Sequence, residues 1–311
     1  MDYVVFDLEW NQCPDGRQNS NQRLPFEIIE IGAVRMNEQL QVTDSFHRLI
    51  RPQVYKWIHN SIHDVTHMDI KDLQEGVIFP AAARDFISWC GKEYRFCTWG
   101  DQDVMELQRN MKYYGILRLI PPPVVYLDVQ KLFAYCYDNP ENRRSLEYAT
   151  DFLKIEKQED FHRALNDAHF TARVLSHIET RYTHQYPSLD TFQHPLDKTD
   201  EYHISFPACT KYVSREFSSK EKAMKDREVS STRCPYCRKN ARRTLRWFTP
   251  NGKVYYSVSN CPEHGDIAGS IRFRKGEGET VFAEKTLGNA TEKDLDIIRS
   301  KRDQKRMNKE K

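Results

Sequence analysis

Four acidic residues and one histidine are spaced as metal ligands and a base would be. Asp7 and Glu9 lie two apart in the run Tyr3-Val4-Val5-Phe6-Asp7-Leu8-Glu9, whose β-branched and aromatic residues predict a strand. A period of two puts both carboxylates on one face, with Phe6 and Leu8 on the other. Two acids side by side on a central strand repel each other and lose hydration, and a bound cation offsets both costs. Without a cation, the same pair suits an exposed strand end. Trp99-Gly100-Asp101-Gln102-Asp103 falls where a strand gives way to a helix. Asp101 suits a helix N-cap, and Asp103 can point back to the sheet edge; the sequence leaves the choice of ligand between them open. His162-Arg163-Ala164-Leu165-Asn166-Asp167 opens the last long helix, whose apolar face is Ala164, Ala168, Val174, Leu175 and Ile178. Asp167 falls close to that face, where a carboxylate needs a partner. Carboxylate oxygens select hard cations such as Mg²⁺ and Mn²⁺. Two such ions about 3.5–4 Å apart stabilise the attacking and leaving oxygens of a phosphodiester displacement. A neutral histidine beside them can take the proton of the attacking water.

A second constellation lies far downstream. Cys234-Pro235-Tyr236-Cys237 is followed, after 23 intervening residues, by Cys261-Pro262-Glu263-His264. Two knuckles of this form make a Cys3His set for one structural Zn²⁺, with Cys209 as a spare ligand. The rival is a redox-active Cys-x-x-Cys pair, but that needs a βαβ setting which the surrounding basic, turn-rich sequence lacks. Cys13, Cys90, Cys97 and Cys136 have no ligand spacing and read as buried thiols. Arg238, Lys239, Arg242, Arg243 and Arg246 are interleaved with Trp247, Phe248, Tyr255 and Tyr256. Such a mixture suits a nucleic-acid strand, with charge on phosphates and rings on bases, although a small domain also needs some of those rings as its core.

The elements that must position these residues are legible in part. Strands are expected at 3–9, 27–36, 41–50, 94–99 and 124–127, and helices at 79–90, 101–114, 128–137, 145–153 and 163–181. This order predicts a mixed α/β sheet covered by helices. Residues 183–205, rich in His, Pro, Asp and Thr, read as a linker. Residues 206–285 read as a small β-rich zinc-binding domain, with strands near 245–248, 253–258 and 271–274, and 286–311 as a charged terminal helix or disordered tail. Charge divides the same way. Residues 1–182 carry a net −6, residues 206–275 a net +10 and residues 299–311 a net +5, within a total of +2. An acidic module joined to a basic one predicts a polyanionic partner. With 39% hydrophobic residues there is material for a core. No apolar run approaches the ~20 residues of a membrane span and no secretory signal is visible, so a cytoplasmic protein with reduced thiols is expected.

The order VVFDLEW, TWGDQD, HRALND resembles the three exonuclease motifs of the DEDDh (DnaQ-like) 3′→5′ exonucleases, with KapD-like and Eri-like members closest in style. EIIEIGAV and VTHMDI resemble the second strand and the substrate loop of that family. The resemblance covers roughly residues 1–182. It implies a ribonuclease H-like mixed sheet flanked by helices, and Asp7, Glu9, Asp103 and Asp167 as ligands of two Mg²⁺ or Mn²⁺. It also implies His162 as general base, and Leu8, Trp10, Thr66 and Met68 at the substrate. Trp10 can stack on a terminal base; core packing is its more ordinary use. Where the family often has Thr-Gly, this chain has Thr66-His67-Met68. The expectation is therefore a metal-dependent 3′→5′ exonuclease with a zinc-ribbon-like accessory domain, acting on single-stranded nucleic acid. RNA is favoured by the likeness to Eri-like members, and DNA is the runner-up. A catalytically silent nucleic-acid binder and a protein-docking adaptor are the competing classes.

Overall fold

Strand β1 (Asp2–Gln12) runs through the middle of the first sheet in the computed structural model, which describes residues 1–140, 142–157 and 161–307. Its alternation sets the whole arrangement. Val4, Phe6 and Leu8 are buried on one side, with Trp10 packed against the same cluster, and Val5 is buried on the other. β1 pairs antiparallel with β2 (Phe26–Met36), which pairs antiparallel with β3 (Val42–Leu49). On its other edge β1 takes β4 (Tyr94–Thr98) in parallel, then come β5 (Val125–Asp128), also parallel, and β6 (Ser188–Leu189), antiparallel. The order is β3-β2-β1-β4-β5-β6. Helices α1 (Asn60–Thr66) and α2 (Ile70–Gln74) follow β3. α3 (Phe79–Cys90) and α4 (Gln102–Tyr113) bury Phe79, Phe86, Leu107 and Met111 on the Phe6 side. α5 (Val129–Tyr137), α6 (Leu146–Phe152) and α7 (Ala164–His177) bury Leu132, Phe133, Phe170 and Leu175 on the Val5 side. Each such side chain contributes about 1.5–3 kcal/mol on burial. This is the mixed sheet flanked by helices that the sequence predicts.

One close approach places α7. Gly32 on β2 lies opposite Asp7 of β1. A Cβ there would stand 2.0 Å from the Leu165 nitrogen and 2.1 Å from the Ala164 carbonyl carbon. Only glycine lets the first turn of α7 rest directly on the sheet.

The chain divides into two compact units, Met1–Phe192 and Gln193–Lys311. The helix expected at 163–181 ends at His177; Ile178 is extended, and α8 (Thr180–Gln185) is a separate turn. The stretch 183–205 is not a featureless linker. It supplies β6 to the first sheet and β7 (Tyr202–Ser205) to the second. Strands of two to four residues are too short to show a period.

The second unit is a six-stranded antiparallel sheet of order β7-β8-β12-β11-β10-β9, with β8 (Cys209–Val213), β9 (Arg242–Phe248), β10 (Val254–Cys261), β11 (Gly265–Lys275) and β12 (Val281–Asn289). Helices α9 (Lys220–Lys225) and α10 (Arg227–Ser230) lie between β8 and β9 in sequence, and α11 (Glu292–Met307) follows β12. The expected boundary at 285 therefore cuts β12, which runs to Asn289. α11 takes most of the expected tail and buries Leu295 and Ile298; residues 308–311 lie outside the described residues. β12 hides in the sequence because Glu284 and Lys285 interrupt its apolar pattern. The Lys285 ammonium is buried and donates to the Glu228 and Ser231 carbonyls. Among the described residues, no helix is long and apolar enough to cross a membrane.

Candidate functional site

Asp7 and Glu9 continue the Val5 row of β1 toward the start of α7, and Asp167 projects from the first turn of that helix. Ligand oxygens of these three carboxylates lie within 4.8 Å of one another. Asp103 arrives from α4 on the other side. β1 pairs with β4 only as far as Val5, which leaves the Leu8 amide without a strand partner, and that N–H donates to Asp103 Oδ1 at 3.1 Å. Asp103 thus replaces the missing strand and is buried by doing so. Asp101 is exposed at the N-cap position of α4, where its side chain makes no capping bond. Of the two acids, Asp103 is thus the buried one beside β1 and Asp101 the exposed one.

The electrostatics of the cluster are those of crowded, poorly hydrated acids. Burial, then the charges of Asp103, Glu9 and Asp167, push the Asp7 carboxyl well above the usual range. Burial and the Asp167 charge raise Glu9 to about 8. Burial raises Asp103 to about 7 and Asp167 to about 6. Asp167 Oδ1 is buried with no hydrogen-bond partner. Hard oxygen donors, mutual repulsion and an orphaned buried oxygen together fit a divalent cation.

His162 precedes α7, is exposed, and holds a left-handed φ of 67°. Its amide donates to Asp167 Oδ2 at 3.2 Å. The residues that fix this turn carry no local sequence signal. Glu30, fully buried on β2 and paired in register with Glu9, accepts from Arg163 Nη2 at 2.9 Å and from the Ala164 amide at 3.2 Å. His47 Nε2 lies 2.6 Å from the same carboxylate. Burial works against the Glu30 charge, but the bonds from His47 and Arg163 hold its carboxyl below the usual range. Glu30 so caps α7 from across the sheet, a long-range contact that no local spacing reveals.

The expected substrate residues distribute differently. Leu8 is core, and only its amide reaches the site. Trp10 packs against the core beside Phe26, its ordinary use. Met68 is buried with Ile29 and Leu73, and the Thr66 hydroxyl donates to the Ile62 carbonyl at 2.8 Å and accepts from the Met68 amide at 3.3 Å. Of these four, the structure presents no side chain as an exposed contact. His67, standing where the family often has glycine, adopts φ 55° and ends α1 in the left-handed conformation glycine adopts at least cost. The turn survives the substitution.

The exonuclease family represented by RNase T matches residues 4–175. The chain belongs to this exonuclease family. It is accordingly a hydrolase of phosphodiester bonds. No curated protein sequence matches the chain. Among solved structures it is similar to the nuclease domain of 3′hExo bound to rAMP, at 18% identity and TM-score 0.49, covering 56% of this chain and 90% of that one. It is similar to cell-death related nuclease 4 (CRN-4) at 17% and 0.47, over 60% and 65%. It is also similar to E. coli exonuclease I in complex with a dT13 oligonucleotide at 12% and 0.49, over 83% of this chain and 54% of that one.

In the second unit of this exonuclease, Cys234 and Cys237 occupy the turn before β9, Cys261 ends β10, and His264 lies in the turn into β11. The Cys237 and Cys261 sulfurs are 3.7 Å apart, and His264 Nδ1 is 3.6 Å from the sulfurs of both Cys234 and Cys261. Tetrahedral zinc, with bonds of about 2.3 Å to sulfur and about 2.0–2.1 Å to nitrogen, has edges of about 3.8 Å and about 3.6 Å. A disulfide would need about 2.05 Å. All four ligand atoms lie within 4.8 Å of one another, so the cluster is compatible with zinc. The two knuckles are alike: each is followed by a left-handed residue, Arg238 at φ 61° and Gly265 at φ 76°. The hydrogen bond to His264 is the main cause that lowers the Cys261 thiol to about 6. Cys209 lies on β8 opposite Gly288, outside this cluster. Arg238, Lys239, Arg242, Arg243 and Arg246 are exposed, whereas Trp247 and Tyr255 pack in a cluster with Ile271 and Phe248 is buried. The charges face solvent and these rings serve the core.

Proposed function

We propose that the chain is a divalent-metal-dependent 3′→5′ exonuclease acting on single-stranded nucleic acid, with RNA as its first substrate. The observation that carries the reading is the gathering of Asp7, Glu9 and Asp167, with a buried, unpartnered Asp167 oxygen, inside a family exonuclease unit. Asp7, Glu9, Asp103 and Asp167 would hold two Mg²⁺ or Mn²⁺. When bound, such ions neutralise phosphate charge and stabilise the attacking and leaving oxygens. His162, exposed beside the cluster, takes the proton of the attacking water. The Asp167 carboxylate holds the His162 main chain, and Glu30 with Arg163 holds the turn that follows. The preference for RNA rests on the motif likeness to Eri-like members, and a DNA strand competes with it. We further propose a structural Zn²⁺ on Cys234, Cys237, Cys261 and His264, a nucleic-acid role for the exposed cations of the second unit, and a cytoplasmic setting for the reduced thiols.

The test is a pair of 5′-labelled single strands, one RNA and one DNA, incubated with Mg²⁺ or Mn²⁺ and sized. Products that shorten progressively while keeping the 5′ label support the reading, and the faster strand names the substrate. Binding without shortening would make the chain a silent binder. Neither binding nor shortening would leave the protein-docking reading.

A further inference from the structure

The loop between β3 and α1 is held by two buried polar side chains that face each other in register, Asn11 of β1 and Glu27 of β2. The Glu27 carboxylate accepts from the amides of Gln53 at 2.6 Å, Val54 at 3.0 Å and Tyr55 at 2.9 Å. Asn11 donates from Nδ2 to the Trp57 carbonyl at 2.8 Å and accepts from the His59 amide at Oδ1 at 3.0 Å. Burying such groups is costly unless they are paired, and here their bonds go into fixing the main chain from 53 to 59. The neighbouring side chains point inward: Tyr55 is buried with its hydroxyl on the Leu24 carbonyl, and Ile58 packs against the Ile29, Met68 and Leu73 cluster. Trp57 does not follow them. It is 70% exposed, next to the exposed Lys56.

Asn11 shares the β1 face of Asp7 and Glu9, because Phe6, Leu8 and Trp10 all pack on the other. Two residues of strand separate Asn11 from Glu9, about 7 Å, which is about two stacked base steps of a single strand. A large bare aromatic, whose main chain is bonded to a strand residue two positions beyond Glu9, matches a base-stacking platform, with a cation beside it for the adjoining phosphate.

We propose that Trp57 stacks on a nucleobase of the bound single strand near the cleaved end, with Lys56 meeting the backbone. This inference rests on the exonuclease reading above. The test uses the full zinc-loaded chain, its Trp57→Ala and Trp57→Phe variants, and a fluorescent single strand of about ten nucleotides. KM is measured in the active chains, and Kd by anisotropy in an Asp7→Asn background. An abasic nucleotide is then moved through the 3′-terminal positions. Trp57→Ala should raise KM and Kd about 5–100-fold, and Trp57→Phe should restore most of the loss. An abasic site at one position should weaken the Trp57 chain and add nothing in the Ala variant. Equal KM and Kd, or identical abasic profiles in both chains, would overturn the proposal. A lowered thermal midpoint for Trp57→Ala would also overturn it, by making Trp57 a packing residue. A parent chain that neither binds nor shortens the strand would instead break the exonuclease reading itself.

Discussion

The two ligand clusters solve opposite problems. Cys234, Cys237, Cys261 and His264 come from two short turns of one sheet, and their atoms already stand at tetrahedral spacings. Four donors from local knuckles close a site and leave no position for a substrate, which is how a structural metal is held. Asp7, Glu9, Asp103 and Asp167 come from a strand and two helices far apart in sequence, brought together by the core on both faces of the first sheet. They are hard donors, crowded and poorly hydrated. On the reading proposed above, a metal would build the fold around the first cluster, whereas in the second the fold itself gathers the acids and stores repulsion among them.

The sharpest way to break this contrast is to remove one ligand from each. Cys234→Ser should lose the zinc, measured by elemental analysis, and with it the folding of the second unit. Structural zinc contributes on the order of 10 kcal/mol to folding in small zinc domains. Hydrolysis of a dinucleotide should persist. Asp7→Asn should do the reverse: the fold remains by circular dichroism, and hydrolysis falls by about 10³-fold, as expected when electrostatic stabilisation of the transition state is lost. If Cys234→Ser leaves the second unit folded, or Asp7→Asn unfolds the first, the contrast is wrong.

Two intermediate effects probe how the fold builds the acidic site. Gly32→Ala puts a methyl group 2.0 Å from the Leu165 nitrogen, so α7 must lift from the sheet. A loss of about 3 kcal/mol is expected, at the upper end for overpacking, along with weaker divalent-ion binding because Asp167 rides on that helix. Urea unfolding and calorimetric titration with Mn²⁺ measure the two. An unchanged midpoint would mean that the approach is soft. His162→Ala should slow hydrolysis by about 10²-fold, as for a lost general base, with Mn²⁺ affinity retained. An unchanged rate would take His162 out of the proton transfer.

What the sequence shows of these sites follows from range. The period-two pair Asp7 and Glu9, the placement of Asp167 near an apolar helix face, and both Cys/His turns are local patterns, and the structure brings each set together. The family resemblance favours Asp103 over Asp101, but the bond that buries Asp103, from the Leu8 amide, forms beyond the end of the β1–β4 pairing and no local pattern shows it. Glu30 reads as one more residue of a strand, and its role as a cap appears only when α7 lies over β2. Trp10 is adjacent to Glu9 in sequence, yet alternation turns it into the core, while Trp57, distant in sequence, stands exposed. The second sheet was half legible, because Lys285 in β12 is buried and hydrogen-bonded where a pattern of apolar residues would be expected.

The smallest predicted effect concerns the stored repulsion. Glu9 sits at about 8 and Asp103 at about 7 in the folded chain, first because burial penalises their charge, against about 4 for unfolded carboxyls. The folded state therefore holds more protons than the unfolded state between these values. Stability must fall as pH rises from about 4 through the folded pKa values, and recover as pH drops. In protein freed of Mg²⁺ and Mn²⁺ but keeping its zinc, the first unit should be more stable at pH 6 than at pH 8 by an amount on the order of 2 kcal/mol. Adding Mn²⁺ should raise the thermal midpoint, and more at pH 8, where the acids would otherwise be ionised against each other. Asp167→Asn should weaken both responses, since it removes one charge and one ligand. The second unit supplies the control, because its unfolding should not respond to Mn²⁺. A metal-free first unit that is as stable at pH 8 as at pH 6 would mean that the carboxylates are hydrated well enough to ionise without a cation. The acidic cluster would then store nothing for the metal to release.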